Sequence, residues 1–264
     1  VLFNQHFGIR QIEVVGNRIL LNKKPITLKG VSLHEELIQH GRTIPTEKRE
    51  RDLIDIKSLG FNTIRTAHYS HDESLLNLAD KIGILILEEI PIWGKFDYKN
   101  PRTFILACKM IKEMIYRDFN HPSIIGWCPL NETSINQNPE LVRTIYHITK
   151  KFDPTRPVID TSGYVHVETD IYDCHNYKQN PEELENDFKT GKGIWRNYPD
   201  YDAEYKGQPY WISEYGGIWW SEKKDGWGYG DRVKSKKEFL ERYKKLTNVL
   251  LNHPRTLLKS KSEH

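Results

Sequence analysis

Two glutamates close strand-like runs of this chain. Glu132 ends Ile124-Ile125-Gly126-Trp127-Cys128-Pro129-Leu130-Asn131-Glu132, and Glu214 lies in Tyr210-Trp211-Ile212-Ser213-Glu214-Tyr215-Gly216-Gly217. A carboxylate terminating an apolar strand is costly to bury without a partner, so each must be paired or put to use. Two carboxyls in one α/β chain suit glycoside cleavage, where one donates a proton to the leaving oxygen and the other is ionised. Further chemistry-bearing groups recur at the ends of other apolar runs: His34 and Glu35, Arg65 and His68, Glu88 and Glu89, Asp160, and His175 with Tyr177. Glu88 and Glu89 are adjacent, so they face opposite sides of a strand and at least one is structural. Any single Glu here could instead be a salt-bridge partner, and any single His a hydrogen-bonded core residue.

The elements that must position these groups alternate strand and helix with a short period, the pattern of a parallel sheet covered by helices. An opening hairpin over 11–22 turns at Gly16-Asn17. Strands are then expected at 26–34, 62–68, 84–90, 124–130, 157–161, 171–175 and 210–213. Helices begin near Thr46 and Asp72, with Gly60 and Gly83 as stops. A third helix carries Phe104, Cys108, Ile111 and Ile115 on one face. Asn138-Pro139 and Asn180-Pro181 each read as a cap followed by proline at the first helical position, and a last helix carries Phe239, Tyr243, Leu246 and Leu250. Seven βα units result. The expected fold is α/β, a (β/α)8 TIM barrel truncated before the eighth strand, because the polar stretch after Asn252-His253-Pro254 makes a poor buried strand. The expected division is a lead-in hairpin from a preceding domain (1–24), the barrel (25–254) and an irregular tail (255–264).

At 264 residues the chain is about the size of one such barrel. Its net charge of +3 comes from 39 basic and 36 acidic residues that are mostly interleaved, which argues against a nucleic-acid partner. No apolar run approaches the roughly 20 residues of a membrane span. Three cysteines, Cys108, Cys128 and Cys174, lack metal-type spacing and are expected to be reduced. With no signal peptide visible, a cytoplasmic location is the expectation.

In a parallel barrel the strand C-termini form the active face, so these polar groups converge there. The motifs resemble glycoside hydrolase family 2, which holds β-galactosidases, β-glucuronidases and β-mannosidases. The resemblance is carried by Phe7-Gly8-Ile9-Arg10, Leu28-Lys29-Gly30-Val31 through His34-Glu35, Gly60-Phe61-Asn62-Thr63-Ile64-Arg65-Thr66-Ala67-His68-Tyr69, Arg117-Asp118-Phe119-Asn120-His121-Pro122-Ser123-Ile124, Asn131-Glu132 and Ser213-Glu214-Tyr215-Gly216. It implies a retaining β-glycosidase with Glu132 as general acid/base and Glu214 as nucleophile. It further implies that Asn131 binds the sugar 2-hydroxyl and that Arg65 and Tyr177 hold the nucleophile. His34, His68 and His175 would be substrate-binding. The family's magnesium site uses an acidic residue and a histidine after strand three, where this chain reads Ile90-Pro91-Ile92-Trp93-Gly94. No metal and no cofactor is therefore expected.

Loop aromatics form two groups: Trp195, Tyr198, Tyr201 and Tyr205, then Trp219, Trp220, Trp227 and Tyr229. They could be sugar platforms or loop pins. Trp219 and Trp220, closest to Glu214 in sequence, are the expected platform. The expected partner is a β-linked saccharide or glycoside, a galactoside first and a glucuronide second, and a homo-oligomer stays open. The alternative is a catalytically weak or inactive carbohydrate-binding barrel fragment.

Overall fold

The computed structural model describes residues 6–94, 97, 99–189, 193–223 and 226–253. The chain opens with three short antiparallel strands, β1 (Ile12–Val15), β2 (Arg18–Leu21) and β3 (Lys24–Ile26). The single strand expected over 26–34 is split. Pro25 and Ile26 pair back onto β2, and only Gly30–Leu33 (β4) joins the main sheet. Pro25, at the middle of β3, has no N–H to offer a central ladder, so this strand fits the edge of the small sheet instead. Ile12 and Ile19 from this sheet share a core with Leu87, Ile125, Ile159, Ile171 and Trp211 of the barrel strands. The small sheet thus closes one end of the barrel interior.

From β4 the chain alternates: α1 (Thr46–Ser58), β5 (Thr63–Thr66), α2 (Glu73–Ile82), β6 (Leu85–Glu89), α3 (Pro101–Asp118), β7 (Ile124–Cys128), α4 (Pro139–Phe152), β8 (Tyr172–Asn176), α5 (Pro181–Lys189), β9 (Tyr210–Tyr215) and α6 (Lys236–Asn252). Strands β4, β5, β6 and β7 form one parallel sheet, and β8 pairs β9 in parallel. All four residues of β5 are buried, as a strand covered on both faces requires. Helix starts follow the chemistry read from sequence. The side chains of Asp72, Asn100 and Asn138 each accept from a backbone N–H two residues on, with proline next at Pro101 and Pro139. Gly83 stops α2 at φ +80. Helix α3 buries Ala107, Ile111, Met114 and Ile115, whereas Phe104 and Cys108 of the expected stripe lie at its margin.

The expected strand over 157–161 does not form a ladder of its own. The amide of Trp127 donates to Pro157 O at 3.1 Å and that of Ile159 to Trp127 O at 3.0 Å. Pairing then breaks and resumes only where the amide of Ser162 donates to Leu130 O at 2.8 Å and that of Glu132 to Ser162 O at 2.9 Å. Asp160 is the reason: its carboxylate accepts from the amides of Thr161, Val167 and Glu168, pulling the chain into a loop. Asp160 therefore builds the loop after this segment and does not enter the cleft.

An outer core of Ile64, Leu76, Ile86, Ile115, Ile124 and Trp127 joins the four-stranded sheet to α1–α4, and a separate one joins β8 and β9 to α5 and α6. Among the described residues no ladder joins β9 to β4. A cavity of about 310 Å³ lies there, lined by Gly30, Val31, Trp211, Ile212, Tyr243 and Leu251. The stretch after Pro254, where the eighth strand is in question, lies outside the described residues. No helix among the described residues is long and apolar enough to cross a membrane. Cys108, Cys128 and Cys174 are free.

Candidate active site

The strand ends of β4, β5, β6, β7, β8 and β9 open onto one cleft of about 600 Å³, lined by His34, His68, Trp93, Glu132, Tyr177, Glu214, Trp227 and Tyr229. Glu214 lies on β9 itself, one residue before its end. Its carboxylate accepts from Arg65 Nη1 and from the Tyr177 hydroxyl, and His68 Nε2 and His175 Nε2 stand 3.7 Å and 3.5 Å away. Burial alone would push this carboxyl up. The Arg65 guanidinium, then His175 and the Tyr177 hydroxyl, overcome it and hold Glu214 at about 2.

Arg65 is itself buried on β5, with Nε on Glu89 at 2.5 Å and Nη2 on Asn131 Oδ1 at 2.6 Å. One guanidinium therefore fixes three side chains, on β6, on β9 and in the segment after β7, using its planar fork. Despite burial, Glu89 and Glu214 raise Arg65 above its ordinary value, so it stays charged. Glu89 also meets His68 Nδ1 at 2.8 Å. Its neighbour Glu88 faces the helix layer, beside Arg117 and Asp118; burial and Asp118 push it well above the usual carboxylate range. The pair divides as adjacent strand residues must. Glu35 is likewise diverted, to a buried ion pair with Arg49.

Glu132 follows β7 in a left-handed conformation, φ +50. A non-glycine residue there is strained by about 1–2 kcal/mol, and such positions cluster at functional sites. Its Oε1 meets His175 Nδ1 at 2.8 Å, and its Oε2 accepts from Trp93 Nε1 at 2.9 Å. Ligand atoms of Glu132, His175 and Glu214 all lie within 4.8 Å of one another. Such a trio could bracket a cation, but Arg65, Tyr177 and Trp93 already donate to its carboxylates, and no metal is assigned to it. The neighbouring Asn131 Nδ2 is buried with no hydrogen-bond partner among the described residues. A buried donor left open this way asks for an acceptor.

The remaining expected residues sort clearly. His34 lines the cleft edge-on to His68, 5.7 Å between centroids; burial and then His68 lower it from its ordinary value. His175 is only 2 % exposed and stands behind Glu132, so it meets carboxylates and does not line the cleft. Trp219 and Trp220 also do not line it, contrary to the expected platform. Tyr229 donates its amide to Gly217 O and bridges Ile218, so the loop folds back on itself. A Cβ at Gly228 would lie 2.4 Å from the Trp219 backbone, which shows how closely the two arms pack. That fold brings Trp227 and Tyr229 into the cleft and turns Trp220 onto Phe239. The other aromatic group pins its loop: Tyr198 meets Tyr164, and Tyr205 meets Tyr172.

Sequence reasoning missed Trp93 as part of the site, and it named Glu89 as a candidate without giving it a role. Trp93 had a signal, an aromatic residue just past a strand end. The pairing of Glu89 with Arg65 had none, since it depends on the register of β5 against β6.

A parallel α/β barrel with two carboxylates facing each other across its strand ends is the architecture of a glycosidase domain. The chain belongs to the glycosyl hydrolases family 2, whose TIM barrel domain matches residues 12–221. It is 32 % identical over 175 residues to a β-glucuronidase of Streptococcus agalactiae, covering 60 % of this chain and 29 % of that protein. It is also 32 % identical over 157 residues to a β-galactosidase of Pectobacterium atrosepticum, covering 57 % of this chain and 15 % of that protein. Among solved structures, a family 2 β-galacturonidase from Eisenbergiella tayi bound to galacturonate superposes with a TM-score of 0.79. It is 26 % identical, over 95 % of this chain and 46 % of that one. The chain thus spans less than half the length of each of these relatives.

Proposed function

We propose that the chain is the catalytic barrel of a retaining β-glycosidase acting on terminal β-linked sugars, with Glu214 as nucleophile and Glu132 as acid/base. The single observation that carries this is the unequal dressing of two carboxylates whose oxygens approach within 4.8 Å. Retaining enzymes hold their carboxyls about 5–5.5 Å apart and inverting enzymes about 6.5–9.5 Å. Glu214, clamped by a guanidinium and a hydroxyl, is ionised and aimed. It attacks the anomeric carbon as Glu132 gives a proton to the departing oxygen, and a glycosyl ester forms. Water, deprotonated by Glu132, then opens that ester. The unpaired Asn131 Nδ2 supplies a donor for the sugar 2-hydroxyl, an interaction that strengthens in the transition state.

For the sugar, a galactoside is our first reading and a glucuronide the second. The described cleft lining contains no Lys or Arg to receive a uronate carboxylate, and Arg65 is committed to three partners. A panel of nitrophenyl β-glycosides tests both levels. Galactoside cleavage with retention of configuration supports the reading; cleavage with inversion sinks it. The edges of β4 and β9, which have no ladder partner on their outer side among the described residues, favour a second reading, a barrel that binds sugars with little turnover. Saccharide binding in calorimetry without cleavage of any panel member would select that one.

A further inference from the structure

Behind Glu132 runs a buried chain of polar groups. His175 Nδ1 meets Glu132 Oε1 at 2.8 Å, and His175 Nε2 meets Ser162 Oγ at 3.1 Å. Ser162 Oγ donates to Asp173 Oδ2 at 2.6 Å, and Ser213 Oγ donates to that same oxygen. Asp173 Oδ1 stands 3.1 Å from His166 Nε2, whose Nδ1 meets Asp160 Oδ1 at 2.7 Å. Ser162, Asp173, His166 and Asp160 are all buried. The seat of His175 is tightly built: a Cβ on Gly163 would come within 2.5 Å of the imidazole ring.

Counting protons along this chain fixes the ring. A serine hydroxyl has one hydrogen, and an ionised carboxylate only accepts. Asp173 is ionised, held below the usual carboxylate range against its burial by the hydrogen bond and charge of His166. The hydrogen of Ser162 goes to Asp173 at 2.6 Å rather than to Ser213 Oγ at 3.2 Å, and its oxygen is left to accept from His175 Nε2–H. The other ring nitrogen faces Oε1 of Glu132. Oε2 is the oxygen on the cleft side, because its partner Trp93 is 64 % exposed and lines the cleft. The working proton of an acid/base must sit on that oxygen. Oε1 is then an acceptor whether Glu132 is protonated or not, and Nδ1 must carry a hydrogen too.

We propose that His175 is a positioning residue for the acid/base: an imidazolium, protonated on both nitrogens, that donates from Nδ1 to Glu132 Oε1 throughout the reaction. This rests on the reading of Glu132 as acid/base. It keeps Oε2 as the one oxygen that exchanges a proton with the substrate. In the first step the Oε2 hydrogen passes to the glycosidic oxygen, which takes the electron pair of the breaking bond to the anomeric carbon while Glu214 bonds to that carbon. In the second step Oε2 takes a proton from water as water displaces Glu214. His175 neither gains nor loses a proton in either step. The charges around it fit: Glu214 and Asp173 face it as carboxylates, Glu132 joins them once its proton has passed to the leaving group, and Tyr164 and Tyr177 flank the ring at 6.3 Å and 6.5 Å between centroids. The opposing cation is Arg65, which is bonded to Glu214.

Two measurements test this. In the full chain labelled with ¹⁵N-histidine, NMR at pH 7.5 reads the hydrogens on each ring nitrogen of His175, independently of any activity. Two protonated nitrogens are expected; an unprotonated Nδ1 or Nε2 overturns the proposal. Kinetically, His175→Gln can supply only one of the two donations. Its loss of turnover is expected to be at least 10-fold greater on alkyl β-glycosides than on dinitrophenyl β-glycosides, since only poor leaving groups need the acid. Equal losses on both substrates mean a merely structural role and overturn the proposal. Should His175→Gln fail to fold, Ser162→Ala, which removes one hydroxyl, is read the same way. If the unaltered chain cleaves no β-glycoside, the functional reading fails, while the ring protonation is still decided by NMR.

Discussion

The two carboxylates of the cleft differ in how their two oxygens are held. Glu214 is gripped by Arg65, a cation that never titrates in this setting, and by the Tyr177 hydroxyl, which burial and Glu214 keep protonated. Glu132 is anchored on Oε1 by the His175 ring and meets the cleft through Oε2, beside the indole of an exposed Trp93. A nucleophile must stay ionised, so donors on both of its oxygens, one of them a guanidinium, serve it. An acid/base must pass through both states, so its partners must tolerate both. The contrast teaches that side-chain type alone does not separate two glutamates; what faces each one does.

The largest blow to this comparison is Glu214→Ala. Turnover should fall by at least about 10⁴-fold, with azide restoring part of it as a glycosyl azide of inverted anomeric configuration. Absence of both loss and rescue would break the assignment. Glu132→Ala should cost about 10²–10⁴-fold on alkyl glycosides and far less on dinitrophenyl glycosides, a split visible in kcat but not in Glu214 variants. Arg65→Met leaves Glu89 and Glu214 buried without their cation, so thermal or denaturant unfolding should show a loss of about 3–5 kcal/mol. Unchanged stability would mean the guanidinium is not the clamp described.

The acid side of the pH dependence gives a finer test. Glu214 is depressed from its ordinary 4.5 to about 2, so the native state binds fewer protons there than the unfolded chain. Its contribution to stability is complete above 4.5 and is lost as pH falls from there through about 2. Loss of kcat/KM between pH 5 and 4 therefore should not come from protonating Glu214 in the unaltered chain. Arg65→Met should bring such a loss into that range. The smallest expected effect is Trp93→Phe, which removes one N–H while keeping a ring. A drop of about 2–10-fold in kcat corresponds to the usual 0.5–1.5 kcal/mol of one hydrogen bond. A change in KM alone would instead make Trp93 a sugar contact.

Much of this arrangement was legible before any coordinates. The helix caps at Asp72 and Asn138 and the stop at Gly83 are local chemistry, and they sit where expected. Six of the seven expected strand positions form strands, because apolar runs between turn signals need no distant information. The exceptions have particular causes. The 26–34 run was read as continuous because nothing local marks where Ile26 leaves β2 and Gly30 joins β5. The 157–161 run loses its ladder to the Asp160 carboxylate, a competitor invisible in a hydrophobic pattern. Trp219 and Trp220 were preferred over Trp227 and Tyr229 by nearness to Glu214, yet a glycine-rich return of the chain reversed that order.

By itself the sequence determined the alternation of strand and helix, the family, and the placement of polar residues at strand ends, because a parallel barrel sends every such end to one face. Only the tertiary structure decided who touches whom there. Arg65 reaching Glu89, Asn131 and Glu214, and His175 standing between Glu132 and a buried serine, depend on strand register and on loops that close in three dimensions. Hydrogen bonds and charge pairing act over a few ångströms, so they are fixed by spatial neighbours up to 149 residues apart in the chain, a distance across which sequence patterns carry no signal.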